Sequence, residues 1–178
     1  MYFEQSLDRL KKSGFQRHLY PWEAFEIIFS GLENPVSEYV EIQKNMLSGY
    51  GEWTSMAFKK EGNRLFVAFD PENIAYDKKK NDYVVVNGNI RHSGQIMEYE
   101  IGERNDYWYS INNLPHELVL KMWTKDAEQV SQFSSHAGIW AKNDGIWRPV
   151  ARGYDVNYFS LYAGDYDLHW ASRGVRRK

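Results

Sequence analysis

Trp53-Thr54-Ser55-Met56-Ala57-Phe58-Lys59, then Glu61-Gly62-Asn63, then Arg64-Leu65-Phe66-Val67-Ala68-Phe69 is the stretch that decides the fold. Two apolar-rich runs flank a tripeptide carrying Gly and Asn, and the spacing predicts a β-hairpin with its turn at 61–63. Downstream the pattern repeats. Asp70-Pro71-Glu72-Asn73 reads as a turn, residues 74–76 and 83–86 flank a polar stretch, and Asn87-Gly88 is a tight-turn dipeptide. Residues 95–101 and 107–111 continue the series, so the region reads as an antiparallel meander.

Upstream the texture is helical. Phe3, Leu7 and Leu10 fall on one helical face, and Lys11-Lys12-Ser13-Gly14 reads as a basic last turn and a stop. Pro21 suits the first turn of a second helix that carries Ala24, Phe25, Ile27, Ile28 and Phe29 and closes at Gly31. Asn34-Pro35 opens a third, with Val36, Val40 and Leu47 on its apolar face and Gly49 at its end.

The segment 114–133 carries both periods: Leu118, Leu120 and Met122 alternate as in a strand, whereas residues 126–133 favour helix. Gly138-Ile139-Trp140 and Gly145-Ile146-Trp147 echo each other across Lys142-Asn143-Asp144-Gly145, which reads as a hairpin with the two tryptophans as cross-strand neighbours.

Composition narrows the function classes. The 178 residues contain no cysteine, which excludes disulfides, thiolate metal sites and thiol nucleophiles. No apolar run approaches the ~20 residues that span a bilayer. The start Met1–Ser6 lacks the basic and apolar regions of a signal peptide, so the expectation is a cytoplasmic protein without membrane contact. A net charge of −2 argues against attachment to nucleic acid by bulk charge. Nucleotide-binding glycine loops, His-Glu-X-X-His and Gly-X-Ser-X-Gly are absent from the sequence. The outlier is aromatic content: seven Trp, thirteen Tyr and nine Phe, 16% of the chain. Such residues suit both a β-rich core and a binding surface.

Two clusters are candidates for function. The first is an aromatic and arginine surface of Trp140, Trp147, Arg148, Arg152 and Tyr154, residue types that dominate binding energetics when exposed. The second lies in Asp165-Tyr166-Asp167-Leu168-His169-Trp170, where strict alternation places Asp165, Asp167 and His169 on one strand face. Two carboxylates and an imidazole about 6.5 Å apart along a strand can converge on a cation or serve as acid and base. Glu98 and Glu100 also alternate, and read as an exposed strand face. The five histidines are scattered singly without metal-ligand spacing.

The expected fold is therefore α+β: an N-terminal helical cap of two to three helices on a mainly antiparallel, aromatic-rich β-sheet. It forms a single domain over 1–178, helical over 1–50, mainly β over 51–171 with one helix near 115–133, and ending in a basic tail at 172–178. The expected function is non-catalytic: a binding or accessory protein, an inhibitor or adaptor, with no cofactor. It engages a protein partner, with nucleic acid open through the C-terminal basic residues. The alternative is an enzyme acting on a phosphate-containing or nucleic-acid substrate, with Asp165, Asp167 and His169 holding a divalent cation such as Mg or Mn.

Overall fold

The computed structural model of the protein describes residues 1–35, 40–46, 51–104, 106–153, 158–164 and 174–175. Helix α1 (Phe3–Lys12) leads to the short strand β1 (Arg17–His18), then to helices α2 (Pro21–Glu33) and α3 (Val40–Met46). Strands β2 (Glu52–Glu61), β3 (Arg64–Phe69), β4 (Ile74–Asp77), β5 (Asp82–Val85), β6 (Ser93–Glu100) and β7 (Trp108–Ser110) follow. A 3-10 turn (Ile111–Asn113) precedes helices α4 (His116–Trp123) and α5 (Ala127–Phe133). The chain then forms β8 (His136–Trp140), β9 (Arg148–Arg152), β10 (Tyr158–Ala163) and β11 (Gly174–Val175).

Seven strands form one sheet in the order β6-β3-β2-β9-β10-β8-β7. The β2–β3 hairpin forms where the sequence places it, with Glu61 opposite Arg64 across Gly62-Asn63. Gly62 adopts φ +59, the conformation the turn requires. Strands β4 and β5 leave the meander and pair only with each other, and β6 returns to β3. All neighbours are antiparallel except β8 and β10, which run parallel.

That parallel pair corrects the hairpin expected at 138–147. Strand β10 lies between β8 and β9, so Trp140 and Trp147 are not cross-strand neighbours. The Asn and Asp residues of the connection fasten a crossing loop instead of a tight turn. Asn143 bridges Lys60, Gly145 N–H donates to Lys60 O at 2.9 Å, and Asp144 reaches Arg148. The single helix expected near 115–133 is two. Thr124 takes a left-handed conformation at φ +60 and ends α4, and the Asp126 carboxylate accepts from Gln129 N–H at 2.9 Å to cap α5.

The helices divide between the sheet's two faces. Helix α2 packs with α4 and α5 over one face, where Phe25, Ile28 and Phe29 meet Trp123, Phe159, Leu161 and Val150. The rings of Phe29 and Phe159 cross edge-on at 5.4 Å, and Trp123 Nε1 donates to Phe159 O at 2.8 Å. Helix α1 instead lies with the β4–β5 hairpin on the other face, where Phe3, Trp53, Ile74, Tyr83 and Ala151 form a second cluster. The N-terminal helices are thus shared between two layers, and β11 pairs with β1 beside them.

One buried ion cluster ties these parts together. Arg148 is only 2% exposed and bonds Asp82 through Nε (2.8 Å) and Nη2 (2.5 Å), and Asp144 through Nη1 (2.8 Å) and Nη2 (2.7 Å). Burial alone would raise the Asp82 carboxyl, but Arg148 outweighs it and holds the group below the usual carboxylate range. Removing the guanidinium leaves two acids facing a buried gap. Arg148→Met is expected to cost about 3 kcal/mol, the lower end for a broken buried pair because Asp144 keeps contact with water. A urea unfolding free energy that fell by less than about 1 kcal/mol would show the cluster to be dispensable.

Candidate binding surfaces

Among the described residues, the face carrying α1 and the β4–β5 hairpin is open at both ends. At the β7 end, residues opposite one another across the sheet are Trp108, Trp140 and Tyr162 on β7, β8 and β10. The Trp108 and Trp140 rings lie 5.3 Å apart, and Tyr162 lies nearly parallel to Trp140 (11°) at 6.2 Å. Trp140 is 41% exposed and Tyr107 beside it 48%. Tyr107, Trp140 and Tyr162, with Ala141, Lys142, Ala163 and Gly164, line a hollow of about 220 Å³. Backbone geometry holds the shelf in place: a Cβ on Gly138 would stand 2.3 Å from Tyr109 O and 2.8 Å from the Trp108 ring.

At the β6 end lies a larger cleft of about 590 Å³. Its floor is Lys59, Phe66, Ile96 and Glu98 on three adjacent strands, and its walls are Trp147 on one side and Val85, Asn89, Ile90 and His92 on the other. The Lys59 ammonium sits 4.5 Å from the Phe66 ring and 5.7 Å from Trp147, and reaches Glu61 at 3.3 Å. A volume in the hundreds of cubic ångströms with apolar walls and a few polar groups is what small ligands and side-chain anchors occupy.

The expected site residues therefore separate. Trp140 belongs to the shelf and Trp147 to the cleft. Arg148 and Arg152 are interior: Arg152 is 1% exposed and donates to Met46 O (2.8 Å) and Glu52 (3.1 Å). Neither guanidinium is presented to a partner, because each is spent on bracing the strand that carries it. Tyr154, Asp165, Asp167 and His169 lie outside the described residues. Among the described residues no group of three or more His, Asp or Glu is placed to hold a metal ion, and no helix is long and apolar enough to cross a membrane. The cleft itself had no sequence signal, since its lining comes from segments as far apart as Lys59 and Trp147.

Two polar pairs resemble chemistry and act as structure. Ser6 Oγ and His18 Nε2 are 2.7 Å apart, yet both residues are fully buried, and burial pushes the imidazole down to about 3. Asp70, at φ +48, accepts from Tyr20 Oη (2.8 Å) and Ser93 Oγ (2.7 Å), pinning α2 and β6 to the turn after β3.

No family model matches this chain, no curated protein matches its sequence, and no solved structure matches its fold.

Two outcomes are expected here. A histidine whose folded pKa lies below its unfolded value binds its proton only on unfolding, so stability contributed by neutral His18 is present above about pH 6.5 and is lost as pH falls toward 3. Urea unfolding of wild type and His18→Gln across that range is expected to show a slope shallower by up to about one proton in the variant; parallel curves would mean His18 titrates normally. Gly138→Ala is expected to cost about 1–3 kcal/mol and to change the near-ultraviolet circular dichroism as Trp108 is displaced. An unchanged spectrum would mean that the shelf does not depend on that close approach.

Proposed function

We propose that the protein is a binding protein, an accessory, adaptor or inhibitor, that engages a protein partner through the aromatic shelf of Trp108, Trp140, Tyr162 and Tyr107. The observation that carries this reading is Trp140, a large ring kept 41% exposed while flanked by two aromatic neighbours on a sheet, Trp108 tilted against it and Tyr162 parallel to it. Such a ring loses little freedom on association and brings a large apolar area, the combination that makes Trp and Tyr dominate interface energetics. The hydrophobic core does not need that area, because the two buried clusters are complete without Trp140. The shelf is short of positive charge: Lys142 alone among its lining residues is basic, which favours a protein surface over a phosphate backbone. Asp165, Asp167 and His169, on which the metal-dependent alternative rests, lie outside the described residues.

The test compares wild type and Trp140→Ala as immobilised baits in extract of the native host, read by quantitative mass spectrometry. The variant is expected to melt within a few degrees of wild type and to retain at least tenfold less of one specific protein. Equal retention of the same proteins by both baits would remove the shelf from the interface. A nuclease-sensitive nucleic acid as the differential species would replace the protein partner with nucleic acid.

A further inference from the structure

Among the described residues, strand β6 is an uncovered edge. Seven of its eight residues are exposed, with Ile96 at 37% and Met97 at 40%, and it has one sheet neighbour, β3, among the described residues. The register states which backbone groups are open. Ile101 N–H donates to Asn63 O, and the bonded pairs alternate from there through Leu65–Tyr99 and Val67–Met97. The Ile96 C=O and the N–H and C=O groups of Glu98 and Glu100 therefore point away from the sheet, ahead of the register shift toward Ser93. Their side chains share the face of Phe66, and Ile96 and Glu98 form one rim of the 590 Å³ cleft. An unpaired row of backbone groups running along a partly apolar cleft is the arrangement by which sheets take up extended peptides: the main chain supplies affinity, and the cleft selects every second side chain.

We infer that β6 receives an extended segment of a protein partner as an eighth strand. The segment carries a bulky apolar side chain opposite Ile96, entering the cleft against Phe66 and Trp147, and a Lys or Arg two or four residues away opposite Glu98 or Glu100. Charge complementarity fixes the second feature. The exposed face of β6 bears two carboxylates and no basic side chain, and Arg64 and Asn63 engage only Oε1 of Glu98 and of Glu100 respectively. A second copy of β6 is disfavoured because its own acids would return to the same face. The inference is independent of the aromatic shelf at the far end of the sheet.

The test pans a displayed library of random ten-residue peptides on the full chain, then resynthesises the enriched sequences with N-methyl groups on alternate residues in either phase. Enrichment of a large apolar residue spaced by two or four from a basic one is expected. Methylation in one phase should weaken binding at least tenfold, and in the other less than twofold. Peptide should also slow amide exchange at Glu98 and Glu100, which exchange freely without it. Glu98→Lys with Glu100→Lys, checked for an unchanged fold by circular dichroism, should reverse the preference toward acidic peptides, and Trp140→Ala should bind peptide as wild type does. Absence of any enriched sequence, or binding indifferent to the methylation phase, would overturn the inference.

Discussion

Everything in the sheet's centre leans on the Arg148 guanidinium. It stands at the start of β9, inside the seven-stranded sheet, and its four bonds reach a carboxylate on the β4–β5 hairpin and another on the loop between β8 and β9. A buried cation must be paired or it is too costly to keep, and here the pairing also fixes geometry. The hairpin that left the meander is held over the sheet, and the crossing loop is held along β2. Without those two attachments Trp147 would have no fixed position, and neither would the cleft it walls. Gly164, at φ +79, passes so close to Arg148 that a Cβ would fall 2.1 Å from its side chain, so the end of the neighbouring strand β10 is fitted to the same group.

The two sheet faces solve different problems. One is closed by three helices and filled with interlocking rings around Phe25, Phe29, Trp123 and Phe159. Among the described residues the other is covered at its middle, by α1 and the hairpin, and aromatic side chains grade from buried Trp53 through half-buried Tyr162 to exposed Trp140. The aromatic excess of the sequence thus serves both as core and as surface, in separate places. The same division leaves two ends of unlike character: an aromatic shelf beside a three-residue edge strand, and a larger cleft beside an eight-residue one.

Much of the α+β architecture was legible. The hairpin at 61–64, the helix starting at Pro21 and the basic end of α1 are local features, written in turn residues and apolar spacing. What was not legible depends on distant pairing. Asn143-Asp144-Gly145 has the chemistry of a hairpin turn, and only the insertion of β10 between its flanking strands turns it into a crossing loop. Arg148 and Arg152 look like surface residues because arginine usually is, and their burial follows from acids 66 and 100 residues away. Thr124 breaks the 115–133 segment through a left-handed conformation that a β-branched residue rarely adopts, so propensity gave no warning. Of the candidate surface, Trp140 was legible as an exposed aromatic. The cleft was not, since no short-range pattern brings Phe66, Ile90 and Trp147 together.

The position of β10 sets the order in which the molecule can assemble. Before residues 158–163 join, the sheet is two unconnected pieces: β6, β3, β2 and β9 on one side, β8 and β7 on the other. Each piece can form while the chain emerges, but β9 and β8 each keep an open edge toward the gap that β10 fills. Phe159 and Leu161, the side chains that complete the core beneath α2 and α4, arrive with that strand. Closure of the sheet and completion of the main core are therefore one event, built on long-range pairing, and until it happens two interior edges are open to any other strand nearby.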